Sequence, residues 1–254
     1  MPGIGILGCG NIAGIVAGHC AGIAEIVACC DLDQVKTRVL ARRVGARPCR
    51  DVPALLESDF PVLVEAASIA AVRQNLPLAL AAGKDVVLLS VGALSDEHFL
   101  QSIRKYAARL KRKIYVPSGA IFGLDNLKVA RLCGVDRLVL RTTKHPRALG
   151  LADSTERHCV FRGRATEAVR RFPRNINVSA AIGLAASRQP DVELWADPSA
   201  SSNRHEIEAV GEFGRVSICA ENLPSPDNPA TSYLAALSVL ALLAGLDDPI
   251  RVGT

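Results

Sequence analysis

Gly3-Ile4-Gly5-Ile6-Leu7-Gly8-Cys9-Gly10-Asn11-Ile12-Ala13 opens the chain and decides its fold class. Gly3 to Leu7 is a short apolar run, ended by Gly8-Cys9-Gly10, and Asn11 to Ala21 then sets Ile12, Val16 and Ala17 at helical spacing. The order is strand, tight turn, helix, and the turn fits G-x-G-x-x-A. In that pattern Gly8 permits the turn, Gly10 lets backbone approach a pyrophosphate, and the small Ala13 lets helix and strand pack closely. The helix start, at Asn11 and Ile12, offers free N–H groups to the phosphates. Asp31 ends the second strand, 21 residues after Gly10. There it would accept hydrogen bonds from the adenosine ribose hydroxyls and repel a 2′-phosphate, which favours NAD. Lys36 and Arg38 lie close enough along the chain to leave NADP possible.

Working outward, strands and helices alternate. Ile26 to Cys30 and Val62 to Ala66 read as strands, with Asp33 to Arg43 a charged amphipathic helix between them. Ile69 to Ala82 is a helix stopped by Gly83, Val86 to Leu89 a strand, and Asp96 to Leu110 a helix capped by Ser95. The sheet should close near Lys113 to Val116. Such alternation predicts an α/β fold, with parallel strands joined by right-handed crossovers in a doubly wound, Rossmann-type sheet. Loops at the carboxyl ends of such strands line the cofactor crevice. Ala67-Ser68, Ser90-Val91 and Ser118-Gly119-Ala120 are therefore candidate nicotinamide-side contacts, although each also reads as an ordinary small-residue turn.

After Pro117 the rhythm changes. Leu138 to Thr143, Cys159 to Arg162, Val192 to Ala196, Glu206 to Val210 and Val216 to Ala220 read as strands, with helices at Ala165 to Phe172 and Val178 to Ser187. The pattern predicts a second, α+β domain on a mixed or antiparallel sheet. The boundaries expected are 1–118 for the dinucleotide-binding domain and 119–228 for the substrate and dimerisation domain, with a terminal helix over 229–254 packing back on the first.

At 254 residues with 49% hydrophobic and 22% charged content, the chain can bury a core for one large or two modest domains. Its eight cysteines form no C-x-x-C pair and no His/Cys cluster at zinc spacing, so they read as reduced thiols of a cytoplasmic protein with no metal. Of the 30 basic residues 23 are Arg, giving a net charge of +5, but aromatics are only 4% and no basic run interleaves with them, which argues against nucleic acid. The uncharged stretch Asn228 to Leu246 has an apolar part shorter than the ~20 residues a bilayer needs, and it reads as a helix buried in a core or subunit interface. The N-terminus enters a strand at once and has no secretory signal pattern.

Among five histidines, His205 stands out. It opens a strand in Asn203-Arg204-His205-Glu206-Ile207, beside a basic residue, and imidazole is the natural proton shuttle when hydride leaves a substrate. Arg174-Asn175-Ile176-Asn177 leads into an Ala-rich helix. Asn177 reads as that helix's cap, and the alternative is that one of these amides, which donates and accepts, bonds a carboxamide or carboxylate.

Gly8-Cys9-Gly10-Asn11-Ile12, Pro117-Ser118-Gly119-Ala120-Ile121-Phe122-Gly123, Asn175-Ile176-Asn177-Val178-Ser179-Ala180-Ala181 and Asp197-Pro198 with Asn203-Arg204-His205-Glu206-Ile207 together resemble the L-aspartate dehydrogenase family over nearly the whole chain. The turn departs from the commonest pattern by ending in Ala13 where glycine is frequent. The resemblance implies NAD(P)-dependent oxidative deamination of L-aspartate to oxaloacetate and ammonia through iminoaspartate, an intermediate that can also feed NAD biosynthesis. It implies a homodimer, Ala120 and Asn175 or Asn177 at the cofactor, and His205 as the catalytic histidine. Lys144, Arg174 and Arg204 are candidates to clamp the substrate carboxylates. Two alternatives stand beside it: another small dehydrogenase or reductase of an amino acid, hydroxy acid or cyclic imine, and a cofactor-binding regulatory protein without turnover.

Overall fold

Apolar alternation from Gly3 to Leu7 becomes β1, and the first half of the chain is built around it in the computed structural model, which describes residues 1–151, 155–172, 177–225, 228–250 and 252–253. The elements that follow are α1 (Asn11–His19), β2 (Glu25–Cys30), α2 (Gln34–Val44), β3 (Arg47–Cys49), α3 (Val52–Leu56), β4 (Val62–Glu65), α4 (Ile69–Ala81), β5 (Asp85–Leu88), α5 (Glu97–Leu110) and β6 (Ile114–Tyr115). The six strands are parallel in the order β3-β2-β1-β4-β5-β6. The order reverses direction between β1 and β4, and the loops after those two strands flank the crevice where open α/β sheets take ligands. Contacts divide the chain into two compact units, Met1–Pro117 with Ala236–Ile250, and Ser118–Ala235 with Arg251–Thr254.

The core of the first unit is apolar throughout: Ile4, Ile6, Ile26, Cys29, Val62, Val64 and Val87 pack with Ala13 and Val16 of α1. Val239, Leu240 and Leu243 of the last helix, α10 (Tyr233–Leu246), join that core. No helix among the described residues is long and apolar enough to cross a membrane.

The second unit carries α6 (Leu124–Leu127), α7 (Ala130–Cys133), β7 (Arg137–Lys144), β8 (His158–Arg164), α8 (Ala165–Arg171), α9 (Asn177–Ala186), β9 (Asp191–Ala196), β10 (Asn203–Gly211), β11 (Gly214–Asn222), β12 (Pro224–Ser225) and β13 (Asn228–Ser232). Its main sheet runs β11-β10-β7-β9-β8, with β7 and β9 parallel and the other pairs antiparallel, so it is mixed. One face of this sheet, Leu138 and Leu140 of β7 with Ile207 and Ala209 of β10, packs with Ile121 and with Ile182, Ala185 and Ala186 of α9.

Three local readings need correction. The cap of α5 is Asp96, whose carboxylate accepts from the Phe99 N–H at 3.1 Å, because Ser95 ends a 3₁₀ turn over Val91–Ser95. The stretch expected to be helical after Pro229 begins as β13, which pairs with β12, and the helix starts only at Tyr233. Asn177 is itself a helical residue of α9 and so lies within the helix, not at its cap.

Candidate active site

The glycine turn is held by backbone bonds from both neighbouring strands. The Gly8 N–H donates to Cys30 O at 2.8 Å, and the Ala66 N–H donates to Leu7 O at 2.8 Å. Gly8 has φ +95°, and a Cβ there would lie 2.7 Å from Ala66 C, Ala66 O and Ala67 Cα, so both conformation and space require glycine. At Gly10 the requirement is different: a Cβ would meet no protein atom within 4 Å, and the helix start behind it carries no side-chain cap. Open space beside uncapped N–H groups suits an anionic ligand. Asp31 completes this seat. Its Oδ2 accepts from the Cys9 N–H at 2.7 Å and its Oδ1 from the Asp33 N–H at 2.8 Å, which pins the carboxylate beside the turn and leaves a lone pair on each oxygen for hydroxyls. Of the nearby cations, Lys36 pairs with Asp33 at 3.8 Å and Arg38 is exposed. Gly8, Gly10, Asn11, Ile12 and Asp31 are thus gathered at one end of the sheet, and the residues fit a dinucleotide.

Ala67 and Ser68 follow β4 as expected, with the Ser68 hydroxyl capping α4 by accepting from the Ala71 N–H at 3.1 Å. Beneath them is a residue that local sequence reasoning passed over. Glu65 is 2% exposed, yet it ends an otherwise apolar buried strand, Val62-Leu63-Val64. An acid closing such a run is the signal that could have marked it.

In the second unit, strand alternation sorts the candidates. His205 is 3% exposed and lies on the buried face with Ile207 and Ala209. It pairs across the sheet with Thr142, whose Oγ1 is 2.9 Å from His205 Nδ1. Two residues further along the same face of β7 is Lys144, 5% exposed. Burial, with the Lys144 charge added to it, lowers His205 to about 3, and burial lowers Lys144 to about 8. His205 is therefore a neutral imidazole tied at Nδ1, with Nε2 left for chemistry, and Lys144 is a cation at pH 7 close to its point of neutralisation. Such paired perturbation is a mark of functional sites. Thr142 was also missed, and its signal is a polar residue at an inward position of a strand that begins Leu138, Leu140.

Arg204, expected with the substrate carboxylates, is not brought to this face. It alternates to the other side of β10, where its guanidinium is 3.0 Å from both Glu206 and Glu221. Ala120 is buried, and its carbonyl accepts from Asn222 Nδ2 at 2.7 Å. Asn177 lies in the first turn of α9, while Arg174 and Asn175 fall outside the described residues.

Comparison with known proteins identifies this combination. A family model described as "Aspartate dehydrogenase, C-terminal" matches residues 125–246, and one described as "Homoserine dehydrogenase, NAD binding domain" matches residues 3–117. The chain is 50% identical over 254 residues to an L-aspartate dehydrogenase of Methanospirillum hungatei, covering 100% of both. It is 42% identical to one of Methanothermobacter thermautotrophicus, covering 99% of this chain and 98% of the relative. Among solved structures it resembles aspartate dehydrogenase from Thermotoga maritima, with a TM-score of 0.79, 28% identity and 100% of each chain covered. A homoserine dehydrogenase from Thiobacillus denitrificans, at 13% identity and TM-score 0.63 over 96% of this chain and 72% of that one, shares the fold. With relatives of this identity along its whole length, the chain belongs to the L-aspartate dehydrogenase family.

Proposed function

We propose that this chain oxidises L-aspartate, with water and NAD(P), to oxaloacetate and ammonium through iminoaspartate, with reduction of the cofactor and release of a proton. The observation that carries this reading is the full-length similarity to L-aspartate dehydrogenases, joined to a buried imidazole and ammonium on one face of the second sheet. When bound, the dinucleotide supplies the hydride acceptor. Gly8, Gly10 and the start of α1, with Asn11 and Ile12, would hold its phosphates and Asp31 a ribose, with Ala67 and Ser68 at the same end of the sheet, while Ala120, Asn175 and Asn177 are assigned to the cofactor by the family resemblance.

His205, neutral in the free protein, accepts the proton of the water that attacks the imine and returns it as the carbinolamine collapses. The arrival of a substrate with two carboxylates raises the imidazole's basicity, because nearby negative charge favours the imidazolium. Lys144 offers the compensating positive charge to a substrate carboxylate, and Arg174 shares that role. Arg204, held by two glutamates, drops out of it.

The first test is direct. Purified protein with NAD is followed by absorbance of the reduced cofactor, with L-aspartate beside glutamate, alanine, malate and homoserine. Reduction with L-aspartate alone is the expected result. Silence across the panel with cofactor binding intact would mean a regulatory protein or a different imine substrate instead.

Asp31→Asn gives a second test. The variant keeps an acceptor for the Cys9 N–H and removes the charge that repels a 2′-phosphate. The ratio of kcat/KM with NADP to that with NAD rises at least about tenfold, the equivalent of roughly 1.4 kcal/mol. An unchanged ratio removes Asp31 from cofactor selection. A homodimer in the cytoplasm completes the proposal. The eight free thiols agree with a reducing compartment, and light scattering on the purified protein tests the assembly.

A further inference from the structure

We propose that Glu65 sets this chain's preference between oxidised and reduced cofactor, as a buried carboxylate that ties together the loops after β4 and β5 and places a fixed negative charge beneath them. The inference rests on the dinucleotide reading above and concerns a residue that the reading does not use.

The geometry is specific. Glu65 Oε1 accepts from the Ala67 N–H at 2.9 Å and from the Ser90 hydroxyl at 2.9 Å, while Oε2 accepts from the Ser90 N–H at 2.9 Å. Ala67 and Ser68 leave the end of β4, and Ser90 leaves the end of β5. The Ala66–Ala67 backbone also closes against Gly8. One carboxylate therefore ties two loops together, with the glycine turn closed against one of them, at the edge of the sheet where open α/β folds bind ligands.

Its charge is the unexpected part. A buried carboxylate is costly unless a cation balances it. The space beside Glu65 is lined by Leu7, Leu63, Val72, Leu76 and Leu88, with Asn75 the other polar side chain. Among the described residues no Lys or Arg pairs with it, and burial holds its carboxyl above the usual carboxylate range despite the donors around it. Every amide it meets donates, an arrangement that suits the ionised form. A neutral side chain could staple these loops without that desolvation. What a neutral side chain could not do is favour a ligand that carries positive charge in one redox state only. The oxidised nicotinamide ring is cationic and the reduced ring is neutral, so a fixed anion at this edge strengthens binding of the first relative to the second.

The test measures binding of both cofactor forms to the full-length protein without turnover: NADH by its fluorescence, NAD by calorimetry. In Glu65→Gln the affinity for NAD falls about tenfold further than the affinity for NADH. In Ser90→Ala, which keeps the charge and removes one staple, both affinities fall together and their ratio stays within about twofold of the wild type. Loss of both affinities by one factor in Glu65→Gln overturns the inference, and so does a shifted ratio in Ser90→Ala. That second variant keeps the inference testable if Glu65→Gln does not fold. Wild-type protein that binds neither form would instead overturn the dinucleotide reading itself.

Discussion

His205→Ala is expected to lower kcat for L-aspartate oxidation by about 10²–10⁴-fold while leaving the affinity for NAD within a factor of two. The residue sits on β10 in the second unit, where it pairs with Thr142 on one side and Ala220 on the other. Removing its side chain leaves the glycine turn and Asp31 untouched. The magnitude follows from its state in the free protein. At about 3, the imidazole is neutral across the working range, so it enters catalysis as a base through Nε2. The Thr142 hydroxyl at Nδ1 fixes the ring, so the nitrogen that works is chosen before substrate binds.

Stability carries the same signature with a definite sign. His205 binds its proton less readily folded than unfolded, so its contribution is present above the unfolded value of 6.5 and is lost as pH falls from there towards about 3. The alanine variant lacks that acid-side loss. Unchanged turnover in His205→Ala, with intact folding, would remove the residue from the mechanism.

Why so much of the first unit was legible is a matter of range. The glycine turn and the stop at Gly83 are demands made by residues within four positions of one another, and they are written locally. β3 and α3 escaped because Arg47-Pro48-Cys49 and Val52–Leu56 are too short for any period to show. β3 exists because β2 offers an edge to pair with, from Ala28 to Cys30. β13 escaped for a related reason: Pro229 reads as a helix start, but pairing with β12 overrides it. At the site, His205 was visible from its motif, whereas Thr142 lies 63 positions away and only the register of β7 against β10 brings them together. Arg204 shows the converse. A basic neighbour in sequence was read as a neighbour in space, and strand alternation put the two side chains on opposite faces.

Lys144→Met is expected to move stability and activity in opposite directions. Burial lowers the ammonium from 10.5 to about 8, so below pH 8 the fold carries a desolvated charge that the unfolded chain keeps in water. With a folded value below the unfolded one, stability falls as pH drops from about 10.5 to about 8 and is constant below, where both states are protonated. The difference corresponds to roughly 3 kcal/mol at pH 7. An isosteric apolar side chain removes that cost, so the variant's melting temperature rises at pH 7 and the gain disappears above pH 10. Catalysis goes the other way. Loss of a charge-assisted bond to a substrate carboxylate, worth about 1.5–3 kcal/mol, lowers kcat/KM for L-aspartate by about 10- to 100-fold, chiefly through KM. In the wild type the same group should make KM rise as pH passes about 8, because only the protonated amine attracts a carboxylate. Lys144→Arg, whose guanidinium stays charged, should lose that rise. A Met variant that is both more stable and equally active would show that Lys144 holds no substrate carboxylate. Perturbed ionisable groups gathered on one sheet face are the pattern of a working site, and the opposite signs of the two effects are what distinguish a substrate-binding ammonium from a structural one.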